Sequence, residues 1–265
     1  MAVVGKSMND VYRRLCGTIL TQGKPVADTT ELKNCTFTLL NIENNVAAVR
    51  PDFSMLYLLG ELVWYFSKRR DLEFISKFSK FWEHLAVDGE CNSAYGDIVF
   101  QRYGFDQLET CEEILREHPE SRRAVVNFNV PNPKRKDCPD EICTVMLQFL
   151  LRDGKLDCTC VMRSNDIWFG VPYDTVYFTW LQQILADRLG VEYGVYTLFA
   201  VSLHMYDKDA SKVLECWRSN DEGKKYLKLD RRAFFDNFEE LERICELEKP
   251  KDPLLDFAVE KGIVR

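Results

Sequence analysis

The chain has 265 residues, of which 46% are hydrophobic and 12% aromatic, and its formal net charge is −7. This composition predicts a globular protein with a substantial core, and the acidic balance argues against direct binding of long nucleic acid. Its longest apolar runs are shorter than the ~20 residues of a membrane-spanning helix, and the N-terminus lacks the apolar segment of a signal peptide. We therefore expect no membrane contact and a cytoplasmic location.

The ten cysteines are spread through apparent strands and helices, so we expect them to be reduced. No two of them have the C-x-x-C spacing, which argues against a zinc site, and we expect no metal.

Hydrophobic spacing predicts the secondary structure in chain order. Apolar residues three and four apart indicate helices, and alternation indicates strands. We predict a helix over residues 8–22, a strand at 35–41, helices at 54–68, 72–85 and 105–117, a strand at 123–128, two strands within 142–163, a helix at 172–189, a strand at 195–206 and helices at 209–218 and 231–246. The lack of strict β-α-β alternation indicates the α+β class. With no repeat or linker, residues 1–265 are predicted to form a single domain.

The stretch ICTVMLQFLLRDGKLDCTCVMR is the clearest element. It consists of two β-rich runs joined by Asp-Gly, the strongest short signal for a hairpin. A two-residue turn places Cys143 opposite Ser164. The same turn places Thr144 opposite Arg163, and a three-residue turn would shift both pairs by one residue. In either register Cys143 lies within a residue or two of the polar cluster that begins at Arg163.

Two residues are candidates for catalysis on chemical grounds. Cys143 would be a nucleophile if the neighbouring Arg163 favours its thiolate, although a lone cysteine in a strand is usually a small core residue. Glu61 lies on an apolar helix face, where a carboxylate usually has a partner or a shifted pKa. The alternative for Glu61 is a helix at the edge of the core, with the carboxylate in water.

Three further features have both a functional and a structural interpretation. Pro172 suits the first position of a helix, so Asp174 would lie in the first turn, where the helix dipole favours an acid. His204 and Tyr206 share one strand face and could bind hydroxyl groups, although a single histidine in a strand is more often structural. The basic clusters SRR at 121–123 and PKRK at 133–136 suit a phosphate or are solvated loops.

Several motifs, in one order and at consistent spacing over about residues 55–210, resemble the thymidylate synthase family. They are Glu61-Leu62-x-Trp64, Trp82, Tyr95-Gly96, Ser121-Arg122-Arg123, the run from Cys143 to Phe149, Arg163-Ser164-x-Asp166, Gly170-x-Pro172-Tyr173 and His204-x-Tyr206. The resemblance implies a thymidylate synthase fold, with a mixed β-sheet flanked by helices and a homodimer formed through the sheet. It also implies an enzyme of nucleotide metabolism in a bacterial or phage-infected cell.

The resemblance further implies a role for each matched residue. Cys143 would attack C6 of a pyrimidine nucleoside monophosphate, so that C5 accepts a one-carbon unit from 5,10-methylenetetrahydrofolate. Glu61 would assist proton transfer, and Tyr95 and Asp174 join the catalytic group. The residues that would hold the phosphate and the sugar are Arg163, Ser164, His204, Tyr206 and, from the second subunit, Arg122 and Arg123. The residues that would line the folate side are Trp82, Asp166, Gly170 and Tyr173.

Two departures from the synthase pattern indicate the base and the product. The family's asparagine is Asp174 here, and an ionised carboxylate accepts from the N4 amino group of cytosine but repels O4 of uracil. Thr144 replaces the usual histidine after the nucleophile, as in the phage deoxycytidylate 5-hydroxymethylases of this family. The expected activity is thus folate-dependent hydroxymethylation of dCMP in preference to CMP. The alternatives are a C5-methyltransferase of the same fold, acting on dUMP or dCMP, and a catalytically silent nucleotide-binding protein.

Overall fold

The structure, a computed structural model, describes residues 2–130, 137–219 and 228–265. Its chain divides into two compact units, which we call the sheet unit and the helical unit. The sheet unit comprises residues 1–53, 108–127 and 143–226, and the helical unit comprises residues 54–107, 128–142 and 227–265. The expectation that residues 1–265 form one domain stays a prediction.

The sheet unit is built on one mixed sheet. Its strands are β1 (Ala2–Gly5), β2 (Lys24–Val26), β3 (Thr29–Leu39), β4 (Val125–Asn127), β5 (Thr144–Arg152), β6 (Lys155–Asp166) and β7 (Glu192–Tyr206). The strand order is β1-β3-β7-β6-β5-β4, and β2 also pairs with β3. The pairs β1–β3 and β6–β7 are parallel and the others antiparallel. The predicted α+β class with a mixed sheet is therefore confirmed.

The described residues of the sheet unit include the helices α1 (Met8–Gln22), α5 (Gln107–Glu117, from its second residue), α6 (Gly170–Leu189) and α7 (Ala210–Arg218). The longest, α6, buries most of its residues, which explains why its hydrophobic pattern is not one-sided. It begins at Gly170, two residues before the predicted start at Pro172. Asp174 is therefore the fifth helical residue, and the expectation that it lies in the first turn is wrong.

The β5–β6 hairpin has the predicted two-residue turn but not the predicted register at its open end. Asp153 and Gly154 have φ of 50° and 74°, the left-handed pair that a type I′ turn requires, and Arg152 pairs with Lys155. A bulge at Val145 then shifts the register, so Thr144 pairs with Met162 rather than Arg163. The expected partners of Cys143 and Thr144 are both wrong by one residue for this reason.

The helical unit contains α2 (Met55–Phe66), α3 (Leu72–Ser76), α4 (Tyr95–Phe100), α8 (Arg231–Asp236), α9 (Phe238–Cys245) and α10 (Lys251–Glu260). The helix predicted over residues 72–85 is interrupted, because the Ser79 side chain caps a separate 3-10 turn at Lys80–His84. The helix predicted over 231–246 is likewise split at Asn237. In the part of the chain that the structure describes, no helix has the length and apolar character needed to cross a membrane.

Several boundaries and elements differ from the sequence-based expectation. The strand expected at 35–41 is β3, which begins at Thr29, and the strand expected at 123–128 is the shorter β4. The sequence patterns missed β1, β2, α4 and α10, which have between three and ten residues. The three shortest of them, β1, β2 and α4, contain too few residues to show a period.

Candidate active site

Cys143 and Arg163 form the centre of the candidate site in the sheet unit. Cys143 immediately precedes β5 and is partly buried. Its carbonyl accepts from the backbone N–H of Arg163 at 2.9 Å, and Arg163 Nη2 lies 3.5 Å from Cys143 Sγ. A cation at this distance favours the thiolate form of a cysteine, which is the nucleophilic form. The bulge at Val145 makes the two residues direct partners across the hairpin.

Ser164, His204 and Tyr206 lie together on the neighbouring strands β6 and β7. Ser164 Oγ and His204 Nδ1 are 3.3 Å apart, and the His204 and Tyr206 rings meet edge to face at 5.3 Å. Burial, followed by the charge of Asp166, raises the pKa of the Tyr206 hydroxyl, which stays a proton donor. These three residues present hydroxyl and imidazole groups suited to a polar ligand.

Asp166 is held by the backbone at the end of β6. Its Oδ1 accepts from the backbone N–H of Trp168 at 2.8 Å. Burial raises the pKa of Asp166, while the N–H of Trp168 and the His204 charge oppose that rise. The carboxyl group is therefore part of the turn that leads into α6, as well as a candidate ligand.

Gly170, Asp174 and Asn165 meet at the start of α6. A Cβ at position 170 would lie 2.0 Å from Asn165 Oδ1 and 3.3 Å from Asp174 Oδ2. Only glycine leaves this space open for the two side chains. Asn165 is 2% exposed and was not among the predicted site residues. Its place between Ser164 and Asp166 was the available signal, because a strand residue between two others points to the opposite face.

Tyr173 belongs to an aromatic group around Arg50. The Tyr173 and Phe53 rings stack at 5.0 Å, and the Arg50 guanidinium lies 4.7 Å from the centre of the Trp168 ring and 5.4 Å from that of Tyr173. Arg50 is 2% exposed, and its Nη1 has no hydrogen-bond partner among residues 2–130, 137–219 and 228–265. No sequence motif singled out Arg50, because a lone arginine in a loop has no periodic signal.

Arg122 and Arg123 lie at the edge of the sheet, just before β4, and both are exposed. The carbonyl of Arg122 accepts from Gln148 Nε2 at 2.9 Å, and the N–H of Arg123 donates to Ser121 Oγ at 3.1 Å. The backbone of this motif is therefore fixed while its guanidinium groups remain accessible. The second basic cluster, at 133–136, lies outside the described residues.

In the helical unit, Glu61 is buried on α2 between two tyrosines. The Tyr57 hydroxyl donates to Glu61 Oε1 at 2.5 Å and the Tyr65 hydroxyl to the same atom at 3.3 Å. Burial raises the pKa of Glu61 to about 7, although both hydrogen bonds favour the ionised form. Such a pKa suits general acid–base chemistry near neutral pH. The alternative of a water-exposed Glu61 is wrong, since only 6% of the residue is exposed.

The other two candidates of the helical unit adjoin the same tyrosines. Trp82 Nε1 donates to the Tyr57 hydroxyl at 3.3 Å, and the Tyr95 ring stacks on that of Tyr65 at 5.6 Å. Trp82, Tyr57 and Glu61 thus form a hydrogen-bonded chain. The spacing of four residues on either side of Glu61 could have revealed the role of the tyrosines, which were not among the predicted site residues.

Within the described residues, no group of three His, Cys, Asp or Glu side chains could hold a metal ion. Cys158 and Cys160 are buried in β6, where burial raises the pKa of both thiols well above its ordinary value. These two cysteines therefore behave as small core residues.

A mixed sheet that places a thiol beside a guanidinium, with hydroxyl and imidazole groups nearby, is typical of enzymes that use a cysteine nucleophile on an anionic substrate. The relationship to known proteins is more specific. The family model described as Thymidylate synthase matches residues 10–247, and the chain belongs to the thymidylate synthase family. The resemblance found in the sequence is thereby confirmed.

Relatives within this family carry different activities. The thymidylate synthase of Clostridium beijerinckii is 31% identical over 165 residues, which cover 61% of each chain. The deoxycytidylate 5-hydroxymethyltransferase of Enterobacteria phage T4 is 30% identical over 182 residues, covering 62% of this chain and 72% of the relative. The deoxyuridylate hydroxymethyltransferase of Bacillus phage SP01 is 26% identical over 260 residues, covering 89% and 67%. The chain thus matches under two thirds of the Clostridium enzyme's length.

Proposed function

We propose that this chain is a methylenetetrahydrofolate-dependent hydroxymethyltransferase acting on C5 of a cytidine monophosphate, with dCMP preferred over CMP. The observation that supports this proposal most directly is the carboxylate of Asp174, which belongs to the same sheet unit as Cys143 and Arg163. An ionised carboxylate accepts a hydrogen bond from the amino group of cytosine and repels the carbonyl oxygen of uracil. The similarity to the phage T4 enzyme supports the same base.

In this proposal the chain's own residues bind the nucleotide and move protons. The Cys143 thiolate attacks C6 of the base, which makes C5 nucleophilic, and the thiolate leaves again when the product forms. Arg163 and Ser164 hold the 5′-phosphate, and His204 and Tyr206 bind the sugar hydroxyl. Glu61, with a pKa of about 7, relays protons together with Tyr95. Overall, dCMP, methylenetetrahydrofolate and water give 5-hydroxymethyl-dCMP and tetrahydrofolate.

The residues of the sheet unit fit a folate co-substrate. Folate combines a flat ring with a carboxylate tail, and the stacked Tyr173 and Phe53 rings and the orphaned Nη1 of buried Arg50 complement those two parts. Methylenetetrahydrofolate, which this family uses, supplies the one-carbon unit. We assign its ring to Tyr173, Gly170 and Asp166, and we also assign Trp82 of the helical unit to folate binding.

Assays with three nucleotides test this function. The protein is incubated with methylenetetrahydrofolate and dCMP, CMP or dUMP in turn, and the product is identified by mass while dihydrofolate is followed by absorbance. We expect hydroxymethyl-dCMP without dihydrofolate, and no turnover by Cys143→Ala. Dihydrofolate formation would instead mean methyl transfer and would refute hydroxymethylation.

A second candidate is the same chemistry on uracil. Relatives named for deoxyuridylate support it, including the phage SP01 enzyme, whose match covers 89% of the chain. Asp174→Asn separates the two candidates, because an amide can both donate and accept. We expect this variant to raise the kcat/KM ratio of dUMP to dCMP at least about tenfold, whereas Asp187→Asn, at the other end of α6, should not change it. An unchanged ratio in Asp174→Asn would refute our account of base selection.

We also propose a homodimer in which Arg122 and Arg123 bind the phosphate held by the partner subunit. Their exposed guanidinium groups at the sheet edge are available for this contact. The inactive variants Cys143→Ala and Arg122→Ala/Arg123→Ala are mixed, dissociated and reassociated. A shared site predicts recovery of about a quarter of wild-type activity, since half of the dimers are hybrids with one intact site. No recovery would place the arginines in their own subunit's site.

A further inference from the structure

Asn165 is a buried polar residue that the proposed mechanism does not use. It is the penultimate residue of β6, pairs with Leu203 of β7 and is 2% exposed. Its Nδ2 lies 2.8 Å from the thioether sulfur of Met162. Its Oδ1 accepts a hydrogen bond from none of the residues that the structure describes. A buried amide oxygen in this situation is costly, and such exceptions are rare enough to require an explanation.

The position of Oδ1 relative to α6 shows which group this end of the side chain faces. Oδ1 of Asn165 and Oδ2 of Asp174 lie 2.0 and 3.3 Å from the point that a Cβ of Gly170 would occupy. The Asn165 carboxamide and the Asp174 carboxylate therefore share the space left open by that glycine. The charge of Asp174 also acts on two buried groups, since it adds to the burial that raises the pKa of Cys160 and Tyr196.

The chemistry of an amide decides which of its ends should face a carboxylate. Two acceptor oxygens repel each other, whereas an amide N–H donates a charge-assisted hydrogen bond to a carboxylate. That bond is stronger than a hydrogen bond to a thioether, which is a weak acceptor. Half a turn about the last side-chain bond of Asn165 exchanges its nitrogen and oxygen without changing its shape.

We propose that Asn165 is a positioning residue for base selection: its amide nitrogen donates to the carboxylate of Asp174 and holds that group ionised and aimed at the base. This inference rests on the proposed function, in which Asp174 reads the cytosine amino group. It adds the hydrogen bond by which the chain keeps the Asp174 carboxylate in its charged form. Because the Asn165 oxygen is buried, the residue acts through Asp174 and does not touch the nucleotide.

A double-mutant cycle on nucleotide binding tests the inference. Asn165→Asp keeps the size of the side chain but replaces the donor with a second carboxylate, so the two acids share a proton. Dissociation constants for dCMP and dUMP are measured by calorimetry without folate. We expect Asn165→Asp to weaken dCMP binding about ten- to a hundredfold while dUMP changes less than about threefold. In an Asp174→Asn background the same substitution should change the ratio of the dCMP and dUMP dissociation constants less than about threefold.

Asn45→Asp is the matched control, because Asn45 is also 2% exposed in the sheet unit and donates to Thr179 Oγ1 at 2.8 Å. A packing defect affects both nucleotides alike, so this control should leave the ratio unchanged. An equal change of ratio by Asn165→Asp in both backgrounds would overturn the inference.

Thermal unfolding of the same four proteins provides a second test in case a single variant folds too poorly for binding measurements. If the two side chains are in contact, Asp174→Asn should restore stability lost by Asn165→Asp, and the absence of any rescue would count against the contact. If Asp174→Asn restores stability but the wild type binds no nucleotide, the proposed function is refuted and the contact between the two side chains is not. Nucleotide binding by the wild type, with no coupling in either measurement, would refute only the role of Asn165.

Discussion

The Glu61→Gln substitution should remove a pH-dependent cost of folding. Burial raises the pKa of Glu61 from 4.5 to about 7. The folded state therefore binds more protons than the unfolded state between these two values, so this group lowers stability as pH rises from about 4.5 to about 7. Below that window the carboxyl is protonated in both states and has no cost. Above it the cost is complete.

The size of the effect follows from the size of the shift. At 1.36 kcal/mol per pKa unit, a rise from 4.5 to about 7 corresponds to about 3 kcal/mol. A glutamine keeps an oxygen that can accept from the hydroxyls of Tyr57 and Tyr65, but it carries no charge at any pH. The variant should therefore gain about 3 kcal/mol over the wild type between pH 4.5 and pH 8.

The assay is urea unfolding of both proteins at a series of pH values. Glu239→Gln on α9 is the control, because Glu239 is exposed in the same unit and its loss should leave the pH dependence unchanged. In turnover assays Glu61→Gln should lower kcat by roughly 10²–10⁴-fold, the usual size of an acid–base contribution. Parallel stability curves for the wild type and Glu61→Gln would refute the shifted pKa.

Further substitutions test the sheet unit. Arg163→Ala should slow alkylation of Cys143 by iodoacetamide at pH 7 about tenfold, because the guanidinium 3.5 Å away no longer favours the thiolate. Lys155→Ala, at the other end of the hairpin, should leave that rate unchanged, and equal rates in all three proteins would contradict the argument. Gly170→Ala should cost about 1–3 kcal/mol in thermal unfolding, because its Cβ would lie 2.0 Å from Asn165 Oδ1. Removing that oxygen with Asn165→Ala should make the double variant less destabilised than the sum of the singles, and strict additivity would argue against the clash.

Local signals in the sequence predicted local structure well. The Asp153-Gly154 dipeptide determined the turn type and the pairing beside it, because only residues that tolerate positive φ form this turn. The bulge at Val145 could not be predicted, since it depends on how β5 packs against both of its neighbours. The start of α6 was misplaced for a similar reason. Proline favours a helix start at Pro172, but the backbone begins the helix at Gly170.

The parts of the candidate site that depend on the spacing of residues along the chain were predictable. Cys143 and Arg163 were expected to be close from the hairpin alone, and the burial of Glu61 was expected from its helix face. The burial of Arg50 and the meeting of Asn165 with Asp174 depend on contacts across the fold, for which one sequence has no signal. The family resemblance supplied the remaining roles, and those roles stay predictions.

The bulge in β5 means that the position of the nucleophile depends on the conformation of the backbone as well as on the identity of the residues. If Val145 paired with Met162 in a regular ladder, every candidate side chain would keep its identity, but Cys143 would face Ser164 instead of Arg163. The thiol would then lie opposite a neutral hydroxyl. A change that flattens the bulge without removing a residue could therefore silence the chain while every site residue is kept, and a comparison of aligned letters alone would overlook it.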